Sequence, residues 1–190
     1  RTQILKFNSM IRNENERMNK YVERILLQAK LDRREVHLKK VPVNLNVLVD
    51  EAVEHFRLQV EEKGGVIRAE LDPEGYVMSA DEVHMLNVVC NLIDNAIKYS
   101  HDSLNIYIYT KQEGNRFIIG VRDTGIGIPK EAQDKVFKRF YRVPSGNLHN
   151  VKGFGLGLSY AKSIVELHGG EIQLTSKKNK GTQVEIILQR

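Results

Sequence analysis

The chain has 190 residues, enough for one globular domain with an appended element, and 41% of them are hydrophobic, enough to form a buried core. The formal net charge is +5, but acidic and basic residues are interspersed and no ladder of aromatic and basic residues appears, so we expect no nucleic-acid partner. No apolar run approaches the roughly 18–20 residues of a membrane span, so this part of the protein is not expected to lie in the membrane.

A long helix is predicted at the start of the chain. Residues 1 to about 31 contain no Pro or Gly, and apolar residues recur seven positions apart at Ile4, Ile11, Met18 and Ile25. At 1.5 Å per residue this helix would be ~45 Å long, and its apolar stripe predicts packing against other helices. A basic connection follows, and we place a domain boundary between residues 1–38 and 39–190.

The remaining sequence alternates between strand and helix patterns, which indicates an α/β domain. Asn46 is expected to cap its first helix, and Ser79 or Asp81 its central helix. The predicted elements are, in chain order, a strand Val41–Leu45, a helix Val47–Lys63, strands Val66–Leu71 and Tyr76–Ser79 joined by a turn, a central helix ending near Ser100, a hairpin of Leu104–Thr110 with Arg116–Arg122, helices Lys130–Phe137 and Gly157–Leu167, and strands Glu171–Ser176 and Thr182–Leu188.

The central helix has a polar edge beside its apolar stripe. Asn91, Asn95, Lys98 and Tyr99 are spaced so that their polar groups line this edge. A carboxamide oxygen is a hard, neutral ligand that suits Mg²⁺ when phosphates supply the negative charge. The pattern therefore fits a site for a metal-bound anion, and it also fits an ordinary amphipathic helix with solvated polar side chains.

Two glycine-rich loops follow. The first, 123–129, comes directly after a strand, where Gly125 and Gly127 let the backbone turn and approach a flat ligand, while Ile128 walls the pocket. Asp123 can accept a hydrogen bond from an exocyclic amine, which selects adenine over guanine. A plain surface turn is the alternative.

The second loop, 152–158, precedes a helix, so its free N–H groups and the helix dipole would face an anion. It matches neither a dinucleotide fingerprint nor a P-loop, and a flexible hinge is the alternative. The polar segment between the two loops, which contains His149, is expected to form a lid over a nucleotide.

Four motifs in this order resemble the N, G1, F and G2 boxes of the catalytic ATP-binding domain of sensor histidine kinases. They are the helix segment 91–99, the loop 123–129, the Phe-Lys-Arg-Phe-Tyr-Arg run 137–142 and the Gly-Phe-Gly-Leu-Gly-Leu run 153–158. The resemblance covers about residues 41–189. It implies a two-layer α/β sandwich of helices on a mixed sheet, the Bergerat ATP-binding fold, with ATP and Mg²⁺ as cofactors.

The resemblance also implies roles for individual residues. Asn95 would bind the Mg²⁺, Tyr99 would pack on the adenine ring, and Asp123 would bind the adenine amine. Three residues, Asn91, Lys98 and Arg142, would act in phosphoryl transfer. The full set of implied cofactor-binding residues is Asn91, Asn95, Lys98, Tyr99, Asp123, Gly125, Gly127, Ile128, Arg142, Lys152, Gly153, Phe154, Gly155, Leu156, Gly157, Leu158 and Thr182.

One position separates a kinase from a hydrolase. In the related ATP-hydrolysing families a Glu that activates water stands where Asn91 stands here, and an amide is not a useful base. A histidine acceptor therefore fits better than water. An ATP hydrolase or serine kinase with the same fold, and a non-enzymatic nucleotide sensor, are the alternatives. Of the six histidines only His101 precedes an acid, in a context unlike the family's acceptor motif, so the acceptor is expected outside this sequence.

The resemblance implies partners as well. The first helix looks like the second helix of the family's dimerisation and phosphotransfer hairpin, so a homodimer is expected through it. The phosphoryl group would pass to the receiver domain of a response regulator. The sequence would be the cytoplasmic part of an inner-membrane sensor.

Overall fold

The computed structural model describes residues 2–33, 35–100, 104–143 and 154–189. The chain forms two compact units, a helical unit of Arg1–His37 and an α/β unit of Leu38–Arg190. The helical unit contains α1, which runs from Thr2 to Asp32 as predicted from the absence of Pro and Gly. Large apolar side chains stay exposed along α1, including Phe7, Ile11, Met18, Val22 and Ile25. Within the helical unit, α1 therefore carries an exposed apolar stripe.

The described residues of the α/β unit form seven strands in two sheets. Its elements are β1 Val41–Asn44, α2 Leu45–Glu62, β2 Val66–Glu70, β3 Val77–Ala80, α3 Glu82–Lys98, β4 Asn105–Glu113, β5 Arg116–Asp123, α4 Lys130–Gln133, α5 Gly157–Leu167, β6 Glu171–Lys177 and β7 Gly181–Gln189. Strands β1 and β3 form a small antiparallel sheet. The larger sheet has the order β2-β4-β5-β7-β6, with β2 and β4 parallel and the other neighbours antiparallel. The expected mixed sheet is confirmed.

Helices α2, α3 and α5 form the second layer, with α3 packed between the other two. The faces of β5 and β7 that they cover carry alternating apolar side chains because successive strand residues point to opposite faces. These buried side chains are Phe117, Ile119, Val121, Val184, Ile186 and Leu188. The apolar stripe of α3 meets them, with Met85, Val89, Leu92 and Ala96 all buried. The predicted two-layer α/β sandwich is confirmed.

Two local predictions need correction, the cap of α2 and the length of α4. The side chain of Asn44, not Asn46, caps α2 by accepting hydrogen bonds from the backbone N–H groups of Asn46 and Val47 at 3.0 and 3.4 Å. Strands β2 and β3, which follow each other as expected, belong to different sheets, because β2 joins β4 in the large sheet and β3 joins β1 in the small one. Helix α4 is a single turn that ends at Gln133 rather than at Phe137.

Candidate functional site

The polar edge of α3 lies against the start of α5. Asp81 begins α3 by accepting a hydrogen bond from the backbone N–H of His84 at 3.1 Å. Three turns later, Asn91 Nδ2 donates to the backbone carbonyl of Asn87 at 2.9 Å. A methyl group added at Gly157 would lie 3.5 Å from Asn91 Oδ1 and 3.7 Å from Asn95 Nδ2. The two carboxamides therefore face the first residue of α5, and the absence of a side chain at Gly157 keeps the space between them open.

Helix α5 begins without a side-chain cap. Leu156 occupies the capping position, and its buried side chain makes no capping hydrogen bond because it has no polar group. The first N–H groups of an α-helix have no partner within the helix, and the helix dipole makes this end favourable for an anion. An uncapped helix start beside two carboxamides can bind phosphate oxygens.

Lys98 lies at the other end of the polar edge. Its ammonium group forms an ion pair with the Asp94 carboxylate one turn earlier, and the two side chains are 32% and 27% exposed. Lys98 is therefore held at the edge of the site by Asp94. An ammonium group has three donors, so this ion pair leaves Lys98 able to contact a phosphate as well. Sequence reasoning missed Asp94, although the four-residue spacing of the pair follows the ordinary helix rule.

The first glycine loop is attached to the end of α3. The backbone N–H of Ile126 donates to the Tyr99 carbonyl at 3.0 Å, and the N–H of Tyr99 donates to the Asn95 carbonyl at 3.0 Å. A side chain at Gly125 would meet the Tyr99 carbonyl oxygen at 2.3 Å, so only glycine permits this approach. Two consecutive hydrogen bonds thus connect the loop that follows Asp123 to the residue that carries the second carboxamide.

The Asp123 carboxylate lies at the end of β5. Its Oδ1 atom accepts hydrogen bonds from the backbone N–H groups of Gly125 at 2.8 Å and Thr182 at 3.2 Å. Burial raises the pKa of Asp123 above its ordinary value, and these two hydrogen bonds oppose the shift. Both hydrogen bonds go to Oδ1, so the described residues leave Oδ2 as an acceptor for a ligand.

The loop is also held against the turn between β6 and β7. Gly127 adopts a positive φ of 63°, and an added methyl group would lie 2.1 Å from the Lys177 carbonyl oxygen. The N–H of Asn179 donates to the Ile126 carbonyl at 2.7 Å. The N–H of Ile128 donates to Ser176 Oγ at 2.8 Å. Gly127, Ile128 and Thr182 are thereby brought to the same end of the sheet as Asp123.

Two further residues support this loop, and sequence reasoning did not identify them. Gln133 Nε2 donates to the carbonyls of Ile128 at 2.9 Å and Ser176 at 2.8 Å. Ser176 continues the alternation of Ile172 and Leu174 on β6, which places it on the helix-covered face. That alternation was available in the sequence as a signal, whereas nothing local to Gln133 indicates its contacts.

The segment after the first loop contacts the second loop. The N–H of Phe140 donates to the Gly155 carbonyl at 3.0 Å, and a methyl group at Gly155 would lie 2.6 Å from the Tyr141 carbonyl oxygen. Phe154 is 48% exposed, Leu158 is half-buried and Arg142 is exposed. The predicted sites Lys152 and Gly153, most of the predicted lid, and His101 lie outside the described residues.

The described residues contain no cluster of three His, Cys, Asp or Glu side chains that could hold a metal ion. A cation at the polar edge of α3 would therefore depend on carboxamide oxygens and on the charge of a bound anion. No helix in the described part of the chain is long and apolar enough to cross a membrane.

Residues 80–190 match the family described as "Histidine kinase-, DNA gyrase B-, and HSP90-like ATPase". The sensor protein RprX of Bacteroides fragilis is 41% identical over 181 residues, covering 94% of this chain and 35% of the relative. The sensor protein kinase WalK of Staphylococcus saprophyticus is 35% identical over 184 residues, covering 96% of this chain and 30% of the relative. The chain thus spans about a third of the length of these proteins.

Solved structures of similar fold agree. The catalytic domain of the histidine kinase ThkA, in a nucleotide-free form, has a TM-score of 0.70 at 27% identity and covers 80% of this chain and 98% of that one. Full-length ShkA in complex with AMPPNP has a TM-score of 0.83 at 21% identity and covers 95% of this chain and 37% of that one. At that identity, the likeness to ShkA concerns the fold.

Proposed function

The chain belongs to the histidine kinase-, DNA gyrase B- and HSP90-like ATPase family and carries the ATP-binding catalytic domain of a sensor kinase, and from this premise we propose how it acts. The site binds Mg·ATP, and the whole protein transfers the γ-phosphoryl group to a histidine. The observation that carries this proposal is the common location of the α3 carboxamides, the uncapped start of α5 and the loop after Asp123.

The adenine ring would lie at the Asp123 end of the sheet. Asp123 Oδ2 would accept a hydrogen bond from the exocyclic amine, while Gly125, Gly127, Ile128 and Thr182 would line the pocket. Tyr99 would pack on the ring, a contact suited to its aromatic face. The phosphates would then extend toward the start of α5.

The phosphates would bind at the second loop. The N–H groups of residues 155–158 and the dipole of α5 favour negative charge there. Lys98, which the ion pair with Asp94 holds at the edge of the site, would contact a phosphate. Arg142 and Lys152 would add positive charge at the β- or γ-phosphate. Together with Gly153 and Phe154, these groups would hold the terminal phosphoryl group and stabilise charge during transfer.

The fit for Mg²⁺ depends on Asn95. Its carboxamide is a neutral oxygen ligand, and no carboxylate cluster in the described residues competes for the cation. This donor set suits a cation that brings its charge balance from a triphosphate. When bound, the ion would neutralise charge between the phosphates.

Asn91 argues for a histidine rather than water as acceptor. Its Nδ2 donates to the carbonyl of Asn87, and its Oδ1 faces Gly157. A carboxamide in this position can orient a phosphate or a ligand of the metal, but it cannot usefully remove a proton from water. A neutral imidazole is already nucleophilic and needs no such base. We therefore place Asn91, with Lys98 and Arg142, in the transfer step.

We also propose the partners of the whole protein. The exposed apolar stripe of α1 would pair with a second copy, giving a homodimer, with residues 1–38 as the dimerisation helix and linker and 39–190 as the catalytic domain. The phosphoryl group would pass to a response-regulator receiver domain. This part of the protein would lie in the cytoplasm, below an inner-membrane sensor.

The proposal is tested by supplying an acceptor hairpin from a related sensor kinase in trans with labelled ATP and Mg²⁺. We expect label on the hairpin that is acid-labile and base-stable, as phosphohistidine is. Asn95→Ala should abolish it. Asn87→Ala is the matched control, because it removes an exposed carboxamide from the same helix eight positions earlier. Label transfer that survives Asn95→Ala would refute the metal assignment, and rapid phosphate release without label transfer would favour a hydrolase.

A further inference from the structure

Three polar side chains lie at the same end of three neighbouring strands, on the face of the sheet that the helices cover. Asp123 continues the inward alternation of β5, and Thr182 continues that of β7. Ser176 on β6 is the direct cross-strand partner of Thr182. Because strand side chains alternate between faces, all three lie on the helix-covered side, where the base of the proposed nucleotide would bind.

The Ser176 hydroxyl makes three hydrogen bonds. Its Oγ lies 2.8 Å from the backbone N of Ile128, 2.9 Å from the carbonyl oxygen of Gly181 and 3.0 Å from Thr182 Oγ1. A serine hydroxyl has one proton to donate and two lone pairs with which to accept. The Gly181 carbonyl has no proton, so Ser176 must donate to it. The N–H of Ile128 fills one lone pair of Ser176.

The third contact of Ser176 then has only one possible direction. With its proton committed to Gly181, Ser176 can only accept from Thr182, so the Thr182 hydroxyl must donate to Ser176. That donation uses the only proton of Thr182 Oγ1 and leaves lone pairs alone for any other partner. The Asp123 carboxylate, whose Oδ1 accepts the backbone N–H of Thr182, is also an acceptor when ionised. The base end of the site therefore offers acceptors without a hydroxyl donor.

We infer that Ser176 is a specificity-determining positioning residue, which selects bases with an exocyclic amine by fixing the Thr182 hydroxyl as an acceptor. An amine at the purine 6-position can donate to this end of the site. A carbonyl at that position would face acceptors only, and the polar groups left unpaired would discriminate against it more strongly than apolar packing does. The inference rests on the proposed nucleotide site and adds a residue that does not itself touch the base.

Removal of the Ser176 hydroxyl should relax this selection. In Ser176→Ala the Thr182 proton is released and can turn toward a carbonyl at the 6-position. ADP and IDP form a suitable probe pair, because IDP carries a carbonyl where ADP carries the amine. We expect the ratio of Kd for IDP to Kd for ADP to fall at least about tenfold, the effect of one hydrogen bond.

A control separates selection from support of the loop. Gln133 binds the carbonyls of Ile128 and Ser176 without entering the hydroxyl chain. Gln133→Ala should therefore weaken both nucleotides by similar factors and leave the ratio unchanged. Ser176→Thr keeps a hydroxyl and should keep the ratio near that of the unmodified protein.

The experiment is isothermal titration calorimetry of the full chain with ADP and IDP in the presence of Mg²⁺, with thermal melts of each variant. Thr182→Val provides a second test, because loss of the Thr182 hydroxyl should also lower the ratio of Kd for IDP to Kd for ADP. If Ser176 acts only through Thr182, adding Ser176→Ala to Thr182→Val should not lower this ratio further. Equal loss of both nucleotides in Ser176→Ala, or a further fall in the ratio when it is added to Thr182→Val, would overturn the inference. An unmodified chain that binds neither nucleotide would overturn the proposed function and this inference together. Binding of ADP with an unchanged ratio in Ser176→Ala would overturn the inference alone.

Discussion

Gly127 and Gly114 offer a matched test of how the first glycine loop is held. Both adopt positive φ, 63° and 59°, so alanine at either position pays the same conformational cost of roughly 1–2 kcal/mol. Their surroundings differ. A methyl group at Gly114 meets nothing within 4 Å, whereas one at Gly127 would lie 2.1 Å from the Lys177 carbonyl oxygen and 3.1 Å from that of Gly181. The difference between the two variants therefore isolates the contact of the loop with the β6–β7 turn.

The expected magnitude follows from these distances. Ordinary contact begins at 3.4 Å, so the backbone at Gly127 must move by about 1.3 Å relative to Lys177. Forced overpacking of this kind typically costs about 1–3 kcal/mol. We expect Gly114→Ala to lower the free energy of unfolding by roughly 1–2 kcal/mol and Gly127→Ala by roughly 2–5 kcal/mol. A misplacement of about 1 Å can also cost on the order of 100-fold in a function that depends on position, so nucleotide affinity should fall in Gly127→Ala alone.

Urea unfolding measures the first effect, and calorimetric titration with ADP and Mg²⁺ measures the second. Equal free energies of unfolding for the two variants would show that the loop does not rest on the β6–β7 turn. A Gly127→Ala protein that binds ADP as tightly as the unmodified chain would show that this contact does not position the base site.

Three further predictions concern buried or half-buried polar groups. Burial lowers the pKa of His168, whose Nε2 accepts the backbone N–H of Asp81 at 2.9 Å. As the pH falls, the unfolded chain therefore binds a proton at His168 before the folded chain does, and the urea midpoint should fall below about pH 6.5. A midpoint that does not change between pH 7.5 and 5.5 would contradict this. Tyr76 stacks on Phe117, and its buried hydroxyl has no hydrogen-bond partner among the described residues. Tyr76→Phe should therefore raise the free energy of unfolding by about 1 kcal/mol. A lower free energy of unfolding would show that the hydroxyl is hydrogen-bonded. Burial raises the pKa of Asp123, so its ionised carboxylate destabilises the folded state at pH 7. Asp123→Asn should therefore keep or raise the melting temperature, while the affinity for ADP falls about tenfold or more. A lower melting temperature with unchanged affinity would refute both parts.

The central helix and the family could be predicted because their signals are local. The spacing of Met85, Val89, Leu92 and Ala96 defines one face of α3, and all four are buried. The polar edge beside them follows from the same helical geometry, which is why Asn91 and Asn95 could be placed together. The order of the four motifs carried the resemblance to sensor kinases, and the comparisons with known proteins confirm it.

The remaining features depend on contacts between distant parts of the chain. Strand β2 pairs in parallel with β4, and the connection between them contains β3 and α3. The turn after β2 gave no indication that β3 belongs to another sheet. The contacts of Gln133 and Ser176 with the first loop join three separate segments, and no spacing rule predicts them. The Asn44 cap was missed because Asn44 and Asn46 are both good capping residues two positions apart.

We propose that the polar edge of α3, the first glycine loop and the start of α5 form a single nucleotide site. The most direct measurement is a ¹H–¹⁵N correlation spectrum of the full chain titrated with Mg·AMPPNP. We expect the amide signals of Gly125, Gly157 and Thr182 to shift together with one dissociation constant, while that of Gly114, in the distant β4–β5 turn, stays fixed. Shifts at Gly157 without shifts at Gly125 and Thr182, or titration of the two groups with different constants, would contradict it.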